Sequence, residues 1–280
     1  MIKAENPFDS ADLVARWRAN AERRAAFLQV ATERMLDAAG VVAGADVLDL
    51  GTGTGDTAVL AALRVGPEGR VLATDVSEAM VRAAAETASE AGLQNVECRR
   101  LDAAVLAGLE PGSFDSVIAR FSLMFVDDLD GALAGIARAL KPDGRLGALV
   151  WGPAERNAYN SMSLRVARWE GLLRVPDVQV TRPFRLGSSE KLAEAARAAG
   201  MEAGVQEIPV EVLVPTQDSA LEGMRATSVT QLILGALSET EQTRLEAAMR
   251  AEMETFRERD GYRFRGLALL LQGRKPAPTS

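Results

Sequence analysis

The chain has no histidine among its 280 residues. It therefore lacks the commonest metal ligand and the usual general base at neutral pH, and no nucleophile can be paired with an imidazole. Cysteine occurs once, at Cys98, which excludes an internal disulfide and a cysteine cluster for a metal. That position reads as a small buried residue on a strand. With both residue types this scarce, no metal site is expected. No apolar run approaches the roughly 20 residues that a membrane helix requires. The start, Met1-Ile2-Lys3-Ala4-Glu5-Asn6-Pro7, has no signal-peptide apolar core. A cytoplasmic protein without a membrane span is the expectation. Positive charge is also in deficit: 32 Lys and Arg against 39 Asp and Glu give a net charge of −7. This disfavours a nucleic-acid partner, because phosphate binding needs a basic surface. The pairs Arg23-Arg24 and Arg99-Arg100 read as solvated ends of elements. What the chain does have is apolar side chain, 48% of its residues, enough for one large domain with a sizeable core or a domain and a cap.

The most informative stretch is Val47-Leu48-Asp49-Leu50-Gly51-Thr52-Gly53-Thr54-Gly55-Asp56. It reads as a buried strand, a glycine turn and a helix start. Glycine admits positive φ and lets a ligand approach bare backbone. Asp56 and Thr57 are candidate caps of the following helix, whose N-terminal N–H groups suit an anion. Such a turn binds a nucleotide-like cofactor. Two details argue against a dinucleotide. Its G-x-G-x-x-G fingerprint puts a third glycine where this chain has Asp56. Asp49, just before the turn, is poorly placed beside a pyrophosphate and well placed beside a cation. S-adenosylmethionine (SAM) carries an ammonium and a sulfonium at that end.

Further strands follow in order. Val71-Leu72-Ala73-Thr74-Asp75 ends in an acid 24 residues after Gly51, where a carboxylate can accept both ribose hydroxyl hydrogens. Residues 96–101 form a third strand ending at Asp102, which can accept from an adenine amino group. Residues 114–120 form a fourth, and Lys141-Pro142-Asp143-Gly144-Arg145 is a turn into a fifth, 146–151. Alternating strands and Ala-rich helices imply a parallel sheet with helices on both faces. Ligands in such sheets lie beyond the C-terminal strand ends, which is where Asp49, Asp75, Asp102 and Arg120 fall.

The motifs DLGTGTGD, the Asp75 strand end, Leu101-Asp102-Ala103, FDSVIARFSLMF and LKPDGRLGALVW, in this order over 46–151, resemble those of class I SAM-dependent methyltransferases. The chain is similar to the branch that includes ubiquinone/menaquinone and many small-molecule methyltransferases. The resemblance implies an α/β fold, a Rossmann-like, doubly wound, seven-stranded sheet. Its last strand, 262–273, would run antiparallel between the fifth and sixth. It also implies SAM as cofactor, S-adenosylhomocysteine as product and a small-molecule acceptor, with a homodimer left open.

The remainder matches more loosely. Residues 10–39 read as one helix, with Leu13, Trp17, Ala21, Ala25, Leu28, Met35 and Ala39 at helical spacing, Ser10 as N-cap and Gly40 as stop. In the resembling family this region lies over the pocket. Helices are expected at 161–173, 188–199 and 218–235, and the capping box Ser238-Glu239-Thr240-Glu241 opens another, to about Arg259. Residues 205–214 form a strand whose Pro209 suggests an edge or a bulge. The organisation is thus a helical lid at 1–44, a cofactor-binding core at 45–151, a cap insertion at 152–187, a core helix and strand at 188–214, a second cap insertion at 215–260 and a last strand at 261–274.

Each site residue has a structural alternative, since a glycine can simply serve a turn and an Asp can cap a helix. The cofactor set is nevertheless Asp49, Gly51, Thr52, Gly53, Asp75, Val76, Met80, Asp102, Ala103 and Arg120, because independent alternatives at this combined spacing are improbable. Ala103 would offer its amide to adenine, Val76 and Met80 apolar contact, and Arg120 either a partner for the methionine carboxylate or an ion pair with a cap acid. Acceptor-side candidates are Trp17, Phe121, Trp151, Tyr159 and Met224, with Arg182 and Phe184 behind them. No general base is identified. The absence of histidine favours an amine, an activated carbon or an already acidic oxygen as acceptor. Two alternatives remain open at this stage: an enzyme of the same fold that uses bound SAM for rearrangement or cyclisation, and a non-catalytic SAM-binding partner protein.

Overall fold

The computed structural model describes residues 10–278. Its centre is a sheet of strands β1 (Asp46–Leu50), β2 (Arg70–Asp75), β3 (Val96–Arg100), β4 (Phe114–Arg120), β5 (Leu140–Trp151), β6 (Glu202–Val214), β7 (Arg257–Glu258) and β8 (Gly261–Arg274). The order is β3-β2-β1-β4-β5-β8-β6, with β7 paired only to β8. Strands β1 to β5 are parallel. β8 is antiparallel to both neighbours, β5 and β6, as expected. The two-residue β7 is an eighth strand that the sequence did not signal; it closes a short hairpin onto Tyr262 and Gly261.

Alternation along the strands sends side chains to two faces. Leu48, Leu50, Val117, Ala119, Leu146 and Ala148 share one buried cluster. Helices α5 (Leu129–Ala139) and α8 (Ser189–Ala198) cover it. Val47, Val71, Ala73, Ile118 and Leu149 share the opposite one, beneath α2 (Ala21–Ala38) and α3 (Asp56–Val65). Helix α4 (Glu78–Glu90) flanks β2 and β3. Pro209 lies on β6, an edge strand, where its missing N–H costs no ladder bond.

The expected single helix over 10–39 is two: α1 (Ala11–Ala19) and α2, broken at Asn20 (φ −104°, ψ 7°). Asn20 Nδ2 donates to the Arg16 carbonyl at 2.9 Å, beside the backbone bond from Asn20 N to the same oxygen, so Asn20 caps the end of α1. Gly40 does stop α2, at φ +66°. Gly40 N donates to Asp37 O and Val41 N to Leu36 O, the paired bonds of a Schellman terminus. The turn at 141–144 sits inside β5 as an outward loop. Phe114 pairs with Leu140 and Ser116 with Arg145, so the strand begins six residues earlier than its apolar run.

The region after β5 holds α6 (Ala158–Trp169), the short α7 (Asp177–Thr181), α9 (Gln217–Arg225), α10 (Ser228–Gly235) and α11 (Glu239–Met253). Helix α6 starts three residues before the expected one. The expected helix at 218–235 is split because Thr227 caps a new one, its side chain accepting from Thr230 N. Ser238 and Glu241 form the anticipated capping box, but α11 ends at Met253, where the chain turns towards β7. These helices pack on residues of β6 and β8 in a third cluster that includes Val212, Val214, Tyr262 and Phe264. The register explains where that cluster stands. β5 ends at Trp151 opposite Ala268, which pairs with Ile208. Beyond this point β6 and β8 continue alone, past the C-terminal ends of the parallel strands. The added helices are therefore built on the ligand side of the sheet.

Candidate active site

At the end of β1 the Asp49 carboxyl is only 1% exposed. Thr52 Oγ1 donates to its Oδ2 at 2.8 Å, while Oδ1 has no hydrogen-bond partner among the described residues. Burial is the main cause that raises its pKa to about 7; Thr52 and Arg120 pull it down, and Asp56 and Asp75 add to the rise. The turn above it is held by Gly51 N and Thr52 N, both donating to Thr74 O at 2.8 Å. Gly51 has φ +71°, and a Cβ there would overlap the Cβ of Ser122. Ser122 Oγ in turn donates to Leu50 O at 2.6 Å. Only glycine fits between β1 and the segment after β4.

Asp56 and Thr57 are not the caps of α3. The N-cap is Gly55 at φ +90°, and a Cβ on it would stand 2.8 Å from Ala84 Cα, so this glycine lets α3 and α4 approach. Asp56 is instead the first helical residue and pairs with Arg120. Arg120 also donates to Thr32 Oγ1 at 3.3 Å, and its side chain is 9% exposed. A second guanidinium, Arg24, lies 3.8 Å from Asp56 and 4.6 Å from the centre of the Trp17 ring. Burial pushes the Asp56 carboxyl up, but Arg120 and Arg24 outweigh it and hold it below the usual range. Arg120 is thus neutralised within the core, by an acid that the sequence reading had assigned to a cap.

Asp75 ties β2 to the turn. Its Oδ2 accepts from Gly53 N at 3.0 Å and its Oδ1 from Ser77 N at 2.9 Å. Ser77 caps α4. Val76 and Met80 diverge: Val76 is 37% exposed at the strand end, whereas Met80 is buried, at 3%. Asp102 is exposed and accepts from Ala104 N at 2.9 Å, which folds the Ala103 backbone into a tight turn.

Over this constellation stand the aromatic candidates. Trp17 lies across the glycine turn, 3.8 Å from where a Cβ of Gly53 would be. Phe121 follows β4 with φ +54°, unusual for a bulky residue and a mark of a site that holds its backbone against strain. Its ring stacks on Trp151 at 4.1 Å and 20°. Tyr159 packs edge-on to Phe264 at 5.4 Å. Met224 lies inside the helical cluster, and its place is core. Phe184 is buried in the same cluster, and Arg182 pairs with Asp127 at 2.5 Å. Asp128 caps α5. Asp49, Gly51, Thr52, Gly53, Asp75, Trp17, Arg120 and Phe121 therefore converge. Ser122, Arg24 and Gly55 belong with them, although no sequence spacing pointed to them. Among the described residues no group of acidic, His or Cys side chains is arranged to hold a metal, and no helix is long and apolar enough to cross a membrane.

A family model described as methyltransferase domain matches residues 47–144. The nocamycin O-methyltransferase of Saccharothrix syringae is 37% identical over 62% of this chain and 65% of its own length. A ubiquinone/menaquinone biosynthesis C-methyltransferase of Methylococcus capsulatus is 34% identical over 60% of this chain and 71% of its own. Among solved structures, the cyclase SpnF is 26% identical with a TM-score of 0.54, covering 88% of this chain and 80% of that one. The chain spans about half to two thirds of the length of the curated relatives it matches.

Proposed function

The chain belongs to the family of SAM-dependent methyltransferases, and from that premise we propose that it moves the methyl group of SAM to a small-molecule acceptor and releases S-adenosylhomocysteine. The observation that carries this reading is the Asp49 oxygen without a partner. A buried carboxylate oxygen lacking a hydrogen bond is costly, and an ammonium group is the partner that removes the cost. A pyrophosphate in the same place would face a like charge. The residues present fit SAM: Asp49 for the ammonium, the bare turn at Gly51–Gly53 for close approach, Asp75 for the ribose hydroxyls and Asp102 with Ala103 for the adenine edge. Val76 supplies apolar contact, and Met80 supports it from the core. Arg120, already paired with Asp56, serves to fix the start of α3.

SAM brings an activated methyl group. What remains for the protein is geometry and dryness. Phe121 and Trp151 give a flat apolar wall on which an acceptor can lie, at the strand ends where the methyl group would point. Holding a nucleophile in line at about 3–3.5 Å supplies several kcal/mol of barrier lowering. Trp17 and the segments 152–187 and 215–260 act as the cap that excludes water while charge disperses. Calorimetry with SAM, S-adenosylhomocysteine and NAD tests the cofactor: the first two bind and NAD does not. Tight NAD binding without SAM binding refutes the reading. The likeness to SpnF makes product analysis necessary as well. A product with one added methyl group supports transfer, and an unmethylated isomer made without consumption of SAM supports rearrangement.

A further inference from the structure

The turn after α7 carries two guanidiniums that bond to backbone carbonyls. Arg182 Nη2 donates to Phe125 O at 2.5 Å and pairs with Asp127. Arg185 Nε donates to Met124 O at 2.8 Å, and its Nη2 donates to Val126 O. Three consecutive carbonyls are thus taken by two side chains. They stand at the end of the 3-10 turn Leu123–Phe125, and carbonyls at a helical end lack ladder partners. Holding two cations side by side is unfavourable. Burial and Arg182 keep the Arg185 guanidinium below its usual pKa, with Asp127 pulling the other way. The carbonyls offset that repulsion, and the planar fork of Arg185 spans two of them in a fixed geometry.

The same turn also meets the chain after β5. A Cβ on Gly187 would stand 2.8 Å from Pro153 N and 2.9 Å from Gly152 C, so only glycine admits this approach. Residues 182–187 therefore join the segment that follows Phe121 to the segment that follows Trp151, and these two rings are the ones stacked at 4.1 Å. Phe121 needs support to stand there. Its φ of +54° lies in the left-handed region that a bulky residue disfavours. The amide side of Phe121 is fixed by its bond to Leu149 O at 2.8 Å. Its carbonyl side follows the path of 122–126, which Ser122 ties to Leu50 O at one end and the two arginines hold at the other.

We propose that Arg185, with Arg182, is a positioning residue for the acceptor: by clamping the carbonyls of 124–126 it holds Phe121 in its left-handed backbone and keeps the Phe121–Trp151 wall flat. This rests on the methyl-transfer reading above, which lays the acceptor on that wall. Neither arginine touches the acceptor; both act through Phe121. The clamp also ties the 152–187 segment to the wall, so the wall is complete only while that segment is seated.

The test uses the full chain in a Trp17→Phe/Trp169→Phe background, where Trp151 is the only tryptophan, with acrylamide as quencher. Arg185→Ala raises the quenching constant of Trp151 at least twofold. Made on top of Phe121→Ala, the same change adds nothing, because the stack is already lost and the two residues act as one unit. With the native tryptophans, methyl-labelled SAM and a dilution series of cell extract, Arg185→Ala raises the amount of extract that gives half-maximal label transfer at least fivefold. The SAM Kd, by calorimetry, stays within threefold. Arg185 is exposed, so its truncation leaves no core cavity; if the variant does not fold, Arg182→Ala is read by the same measures. Unchanged quenching, an equal further rise on Phe121→Ala, or SAM affinity weakened in parallel overturns the clamp and leaves methyl transfer intact. No labelled product from the wild type overturns methyl transfer, and raised Trp151 quenching beside it still supports the clamp.

Discussion

The proposed cofactor site turns on Asp49. Its carboxyl is held near pKa 7, chiefly by burial, against about 3.9 for an unperturbed Asp. Between these values the folded chain keeps a proton that the unfolded chain has lost, so stability falls as pH rises through this window and the loss is complete above about 7. The shift corresponds to at most about 4 kcal/mol. Asp49→Asn should therefore raise Tm at pH 8 and leave it unchanged near pH 4, which thermal scans at the two values will check. Cofactor binding runs the other way. An ammonium beside Asp49 favours the ionised form, so SAM affinity should rise from pH 6 to pH 8 with release of a proton. Asp49→Asn should remove that slope and weaken SAM at least tenfold; calorimetry in buffers of different ionisation enthalpy reads both. A flat pH profile in the wild type would place the ammonium elsewhere. Asp75→Ala should also weaken SAM at least tenfold, since charge-assisted bonds contribute about 1.5–3 kcal/mol each. It should lower Tm as well, because Gly53 N and Ser77 N lose their acceptor. Asp49, Gly51 and Asp75 were legible in the sequence because a strand end and a short turn fix their relations locally. The partnership of Arg120 with Asp56 was not, since the two lie 64 residues apart and only the packing of α3 against β4 joins them.

Among the elements, α1 and α2 are the proposed lid, and the sequence pattern under-determined them. Helical periodicity runs through Asn20, whereas its backbone leaves the helical region there (φ −104°, ψ 7°). The consequence is that α1 lays Trp17 across the glycine turn while α2 stays fixed on the sheet. Trp17→Ala should speed SAM dissociation five- to tenfold in stopped-flow displacement, with little change in Tm; an unaltered off-rate would make Trp17 a packing residue only. The added helices were legible as helices from their caps, Ser238 with Glu241 most clearly. Their place as a cap was an expectation from the resemblance and not from their own composition. It follows from the overshoot of β6 and β8 past Trp151, a matter of strand register. Met224 shows the same limit, since an apolar residue on α9 can face a pocket or a core and here faces the core.

At the level of the whole molecule, the alternation of strands and helices sufficed to read the sheet, its parallel part and its ligand edge. The antiparallel β8 came from the resemblance, because nothing in a single strand's composition states its direction. The chain's lack of histidine, its single cysteine and the absence of a metal-holding cluster among the described residues lead to one further prediction: EDTA treatment leaves turnover unchanged, and a loss restored by a divalent ion would refute it. The central claim is that this fold spends SAM on a small molecule. The most direct measurement is a mass balance with methyl-labelled SAM, wild type beside Asp49→Asn. One labelled methyl in a small-molecule product for each S-adenosylhomocysteine formed, both lowered at least tenfold in the variant at limiting SAM, is the result predicted here. Conversion of the small molecule with SAM left intact, or S-adenosylhomocysteine formed at the wild-type rate by Asp49→Asn, would contradict it.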